Sequence, residues 1–225
     1  MLLQGCFSAS LRLELASGGQ ASAALEVRLP RATALPPALP AVVGPGARIR
    51  VYHRQGQVVV EQARVRNLKE LCLRWVRVCV EKVDIGLIGS GKATYEVAVV
   101  LEPGEIKARW MRACRPVPLG PAPPVPSPEV MEAWRRGLGG QWVEVVVRVP
   151  GEVVGAWGQK VCTRVVGPVV KGQQVRWKIG LAELVGCRWT RPVVLRARFV
   201  GHFALGGGKG SYIRSRPWRS CLSKP

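Results

Sequence analysis

Two glycine-rich stretches hold the residues best suited to chemistry. Gly86-Leu87-Ile88-Gly89-Ser90-Gly91-Lys92 fits the GxxxxGK spacing. In that motif backbone N–H groups cradle phosphates and the lysine reaches the outer ones. Gly206-Gly207-Gly208-Lys209-Gly210-Ser211-Tyr212 has the same order of types as Gly89-Ser90-Gly91-Lys92-Ala93-Thr94-Tyr95. A nucleotide triphosphatase fits neither copy. Ala93 stands where the magnesium-binding hydroxyl belongs, and residues 95–101 read as strand where the motif needs a helix N-terminus. Phe203 replaces the first glycine of the second copy. The residues suit a grip on a phosphate backbone better. Gly89, Gly91, Gly207 and Gly208 let a main chain approach closely and present its N–H groups. Lys92 and Lys209 add point charges, and Tyr95 and Tyr212 can stack on bases. Arg214, Arg216 and Trp218 continue that chemistry into the tail. The competing reading is a pair of plain hairpin turns with tyrosines in the core.

Only His53 and His202 can serve as bases near neutral pH. RNA cleavage without a metal needs a base near the 2′-hydroxyl and cations around the phosphate. His202 with Lys209 and Tyr212 could supply such a group; an ordinary strand histidine is the simpler reading. No catalytic residue is therefore assigned outright. The seven cysteines, at 6, 72, 79, 114, 162, 187 and 221, form no CxxC pair. With so few histidines, no metal site and no cofactor are expected.

The twin loops belong to a larger repeat. Leu68-Lys69-Glu70-Leu71-Cys72-Leu73-Arg74-Trp75 precedes the first, and Leu181-Ala182-Glu183-Leu184-Val185-Gly186-Cys187-Arg188-Trp189 precedes the second. Such self-similarity predicts one β-rich unit used twice. Trp75 and Trp189 would fill equivalent cores. Trp110, Trp177 and Trp218, each beside Lys or Arg, read as surface aromatics. The duplication, the strong basic charge and the glycine-rich loop across residues 204–213 resemble the CRISPR-associated repeat-processing and repeat-binding RNA proteins. That resemblance implies tandem ferredoxin-like folds and, in some members, a histidine that cleaves RNA. The chain departs from it at Ile213-Arg214-Ser215, where a second hydrophobic-glycine pair is expected, and at residues 193–203, which read as strand rather than helix.

Lys and Arg outnumber Asp and Glu by 34 to 14 over 225 residues, a formal net charge of +20. Such an excess calls for a polyanionic partner. Nucleic acid is the commonest one, and an acidic membrane surface competes with it. The arginines are spread through apolar runs, as at Arg48, Arg50, Arg54, Arg64, Arg66, Arg74 and Arg77. Because strand side chains alternate, this spacing builds a basic face over an apolar one. The scattered cysteines suggest free thiols in a reducing cytoplasm. Leu3-Gln4-Gly5-Cys6 has the form of a lipoprotein cleavage site but lacks a basic start and an apolar run before it. No apolar run is long enough to span a bilayer, and no membrane partner is expected.

The elements that must position these residues are mainly strands. Residues 7–15 alternate apolar and polar, Ser17-Gly18-Gly19-Gln20 turns the chain, and 23–29 return. Residues 48–54 and 58–65 form a second hairpin, and 143–149 with 152–154 its counterpart. Residues 73–83, 94–101 and 193–203 read as strands. The prolines at 116–128 mark a semi-rigid spacer, followed by one short helix over 128–137 with Ser127 as its cap. The expected fold is mainly β, a β-rich α+β chain. It has two tandem related units, each a small barrel or sandwich, over 1–113 and 129–225, joined by the linker 114–128. The expected function is binding of RNA or single-stranded nucleic acid by a basic β surface and the two Gly-Lys loops. The alternatives are an RNA endonuclease or crRNA-binding subunit of the resembled family, and a viral or ribonucleoprotein structural protein assembling on a genome.

Overall fold

Alternation dictates the first strand. In β1 (Ser8–Leu15), Ala9, Leu11, Leu13 and Leu15 are buried while Arg12 and Glu14 are exposed. Gly19, at φ 78°, closes the turn into β2 (Gln20–Pro30), in a region that side chains other than glycine's enter with strain. The computed structural model describes residues 8–30, 48–54, 57–67, 76–84, 92–102, 129, 132, 133, 136, 141–161, 164–186 and 192–204. The remaining described elements are β3 (Arg48–Arg54), β4 (Gln57–Asn67), β5 (Val76–Asp84), β6 (Ala93–Leu101), β7 (Trp142–Arg148), β8 (Gly151–Trp157), β9 (Lys160–Val161), β10 (Arg164–Val165), β11 (Pro168–Lys171), β12 (Gln174–Gly180), the helix α1 (Leu181–Gly186) and β13 (Val193–Gly201). Glu129, Glu132, Ala133 and Arg136 have helical backbone, within the span where one helix was expected.

The chain is mainly β, as its sequence indicates. A seven-stranded sheet runs β11-β12-β7-β1-β2-β4-β3, a four-stranded sheet runs β5-β6-β13-β8, and β9 pairs with β10. The inner faces of the two large sheets supply one core. Leu11, Leu13, Leu25, Val145, Trp177 and Ile179 come from the first; Val97, Val99, Leu101, Leu195 and Phe199 come from the second. Burial of these side chains is the main stabilising term, at about 25 cal/mol per Å² removed from water.

The strands do not sort into two tandem units. β1 runs parallel to β7, with Ala9 opposite Val143 and Glu14 opposite Arg148. β6 pairs with β13 from Ala93↔Gly201 to Leu101↔Val193. Both large sheets therefore take strands from both sides of 114–128, and the expected separate barrels give way to one interleaved sandwich. The physical reason is edge burial. Each half leaves a strand edge that would stay unpaired without the other half.

The repeat survives as position. The strand before each Leu-x-Glu-Leu phrase, β4 or β12, lies one in from an edge of the large sheet, paired with its own hairpin partner, β3 or β11. The strand after each phrase, β5 or β13, flanks β6 in the small sheet. In the second copy the phrase forms α1, a short helix that its sequence does not signal. The expected 143–149/152–154 hairpin is a corner instead. Past Val149 and Pro150 the chain leaves the large sheet, and β8 pairs with β13.

Candidate functional site

Outward-facing residues of the large sheet form registered rows. One row reads Arg176, Val146, Arg12, Ala24, Ala63, Arg48 across six strands. Strands lie about 4.8 Å apart, so Arg12 stands about 10 Å from Arg176 and about 14 Å from Arg48. Small or apolar residues between them keep the guanidinium groups apart. The row beside it reads Lys178, Glu144, Ser10, Glu26, Glu61, Arg50. Glu144 and Glu26 in this row are engaged locally. Glu144 accepts from Ser10 Oγ at 3.1 Å and pairs with Arg176 at 3.4 Å, and Glu26 pairs with Arg28 at 2.7 Å. Arg12, Arg48 and Arg50 are exposed, with no ion pair among the described residues. Lys178 Nζ sits 3.5 Å from the centroid of the Trp142 ring, a cation–π contact on the same face.

Not every arginine joins this surface. Arg64 lies opposite Ala23 on the core-facing side of β4 and is buried beside buried Gln62. Arg77 and Arg198 belong to the small sheet. Arg77 pairs with Glu102, and Arg198 Nε donates to Glu96 Oε2 at 2.8 Å.

A third row, Lys171, Gln174, Arg148, Glu14, Ser22, Val65, ends at one rim of the sandwich. A shallow cavity of about 240 Å³ opens there, lined in part by Glu14, Gln20, Ser22, Arg148, Pro150 and Gln173. The roots of both glycine loops share that rim. Ala93 pairs with Gly201, so Lys92, entering β6, and His202, leaving β13, are neighbours just beyond the last rung. Both are exposed. Ala204 N donates to Ser17 O at 2.7 Å, tying the same exit to the β1–β2 turn.

The structure thus brings the stems of the two loops side by side at the basic rim. Gly89, Gly91, Gly207, Gly208, Lys209, Tyr212, Arg214, Arg216 and Trp218 lie outside the described residues, as do Trp75, Trp110 and Trp189. Two expectations change. Tyr95 is no base platform: it is 6% exposed, 5.3 Å from Phe199 in a stacked pair and 5.7 Å from Phe203 edge-on. Trp177 is no surface aromatic either; it is fully buried, with Nε1 donating to Trp157 O at 3.1 Å. Alternation carries both rings inward, because they occupy core-phase positions of β6 and β12. His53 lies in β3, an edge strand of the seven-stranded sheet, whereas His202 follows β13 of the four-stranded sheet, so the two histidines do not share one sheet. The sequence reading missed Arg12, Arg148 and Arg176. The signal was there: each sits in the polar phase of an alternating strand.

Cys79, on β5, is disulfide-bonded, so it is not the free thiol expected. Among the described residues no group of His, Cys, Asp or Glu could hold a metal ion, and no helix is long and apolar enough to cross a membrane.

No family model matches the chain, and no curated protein matches it. Among solved structures, the folded domain of Mycobacterium tuberculosis LppM, determined by NMR, is similar over 89% of this chain and 95% of its own, at 10% identity and a TM-score of 0.40. A likeness at that level carries no functional argument.

Proposed function

We propose that the chain binds nucleic acid, RNA or a single strand, through the outer face of the seven-stranded sheet and the rim where the two Gly-Lys loops are rooted. One observation carries the reading. The exposed cations Arg12, Arg48 and Arg176 share a row of that face, and Lys92 stands at its rim beside the second loop's exit. A broad basic sheet suits a flexible phosphate backbone better than a rigid duplex groove. Fluorescence anisotropy with a labelled single-stranded RNA, run across a salt series, is the test. Binding should weaken steeply with salt, and Arg12→Gln/Arg48→Gln/Arg176→Gln should make the log–log slope shallower by about 2. An affinity indifferent to ionic strength would end the proposal.

The juxtaposition of His202 and Lys92 favours a second reading, metal-independent RNA cleavage, with His202 as base and Lys92 at the phosphate. The same assay separates the two: shortening of the RNA in EDTA, lost in His202→Ala, selects the nuclease. The Cys79 disulfide bears on the compartment. Disulfides persist mainly in oxidising surroundings, which weighs against the cytoplasmic placement drawn from free thiols.

A further inference from the structure

One edge of the sandwich has a different surface chemistry. Between Glu152 and Glu183 the sequence has no acidic residue, while Lys160, Arg164, Lys171, Arg176 and Lys178 all fall there. Three valines within that stretch are turned to solvent: Val165 is 75% exposed, Val169 54% and Val170 46%. They sit on β10 and β11, and β11 is the outermost strand of the large sheet. Val169 and Val170 point to opposite faces of β11, so the strand presents apolar side chains edge-on. Exposed Lys160, Arg164 and Lys171 frame them; Arg164 also reaches Glu183 Oε1 at 3.4 Å while remaining 73% exposed.

An exposed edge strand usually invites another strand, but this one is poorly built for that. Pro168 has no N–H to donate, and Lys171 ends the strand with a charge; both are devices that block strand addition. A second copy would also bring like charges together. What the edge does match is an anionic, partly apolar surface. Valines can enter the headgroup boundary while the flanking cations meet lipid phosphates. We propose that the β9–β11 edge docks on an anionic bilayer surface. No membrane-spanning segment is needed for this mode, in which the protein lies on the interface. The proposal does not rest on nucleic-acid binding: the cations that frame the valines are Lys160, Arg164 and Lys171, whereas that reading is carried by Arg12, Arg48, Arg176 and Lys92.

The experiment uses the full chain and co-sedimentation with vesicles. One set is phosphatidylcholine alone; in the other about a third of the lipid is phosphatidylglycerol, giving a negative surface. The wild type should bind the anionic set and not the neutral one. Val165→Ser/Val169→Ser/Val170→Ser, which keeps the net charge, should lower the partition coefficient by about tenfold. Near-UV circular dichroism should be unchanged, because all three side chains already face solvent. Equal partitioning of the variant and the wild type would overturn the proposal, since the charge alone would then be holding the protein. Failure of the wild type to bind anionic vesicles would overturn it too. So would a wild-type dimer in sedimentation velocity that the triple variant abolishes, because the edge would then join two copies. Arg12→Gln/Arg48→Gln serves as the second arm. It should weaken RNA binding and leave the valine-dependent partitioning in place; loss of partitioning in this variant alone would assign vesicle binding to the sheet face and overturn the edge.

Discussion

Tyr95 shows how one residue can belong to a motif in sequence and to the core in space. It follows Lys92 by three positions in a phosphate-loop pattern, yet its ring packs between Phe199 and Phe203. Its function is therefore stability. Tyr95→Phe should leave RNA affinity unchanged, since the ring is only 6% exposed. Tyr95→Ala should lower the unfolding free energy by about 3 kcal/mol in urea titration, through lost burial and the cavity left behind. A drop in RNA affinity in the folded Tyr95→Phe protein would return the residue to the binding site. Lys92, by contrast, is exposed at the rim, where a motif lysine is useful. The two differ because alternation, not motif membership, decides which way a strand side chain points.

At the scale of elements, the alternating segments were legible and the connections were not. Residues 7–15 read as strand from period-2 patterning, 94–101 from β-branched and aromatic content and 193–203 as the most strand-like run near the end, and β1, β6 and β13 lie there. The β1–β2 and β3–β4 hairpins were equally plain, since a turn signal separates two matched runs. Pro150-Gly151 carries a similar turn signal, yet it bends the chain from one sheet to the other. A turn fixes a change of direction; the partner strand is fixed by what each face must bury. The β8–β9 connection is the tightest example. A Cβ on Gly158 would fall on the Val166 carbonyl oxygen, so glycine is required for the backbones to approach. Gly158→Ala should cost about 2 kcal/mol in thermal or urea unfolding, as forced repacking does. An unchanged melting temperature would mean that β9 and β10 move aside freely.

At the scale of the whole molecule, the halves need each other. β1 borrows its parallel neighbour β7 from beyond the proline-rich stretch, and β6 lies between β5 and β13. A fragment of residues 1–113 would keep β1 to β6 but expose the edges of β1 and β6 and half of the shared core. Expressed alone, it should give no cooperative unfolding transition and should associate through its bare strand edges. Mixing it with 129–225 should restore the transition. A cooperative, monomeric 1–113 fragment would reinstate the tandem-unit reading. Parallel pairing of β1 with β7 is also a contact of high sequence separation, of the kind that slows folding.

The sequence alone determined the β class, the inward and outward residues of the first strand, the strong positive charge and the doubled phrase. Those properties are local or additive, so they can be read without knowing any neighbour. Tertiary structure decided which strands pair, that both sheets mix the halves, that Tyr95 and Trp177 are core, and that the two loop stems meet at one rim. Pairing is a choice among many strands with similar patterns. It is settled by the burial of whole faces and the closing of edges, which no single segment encodes.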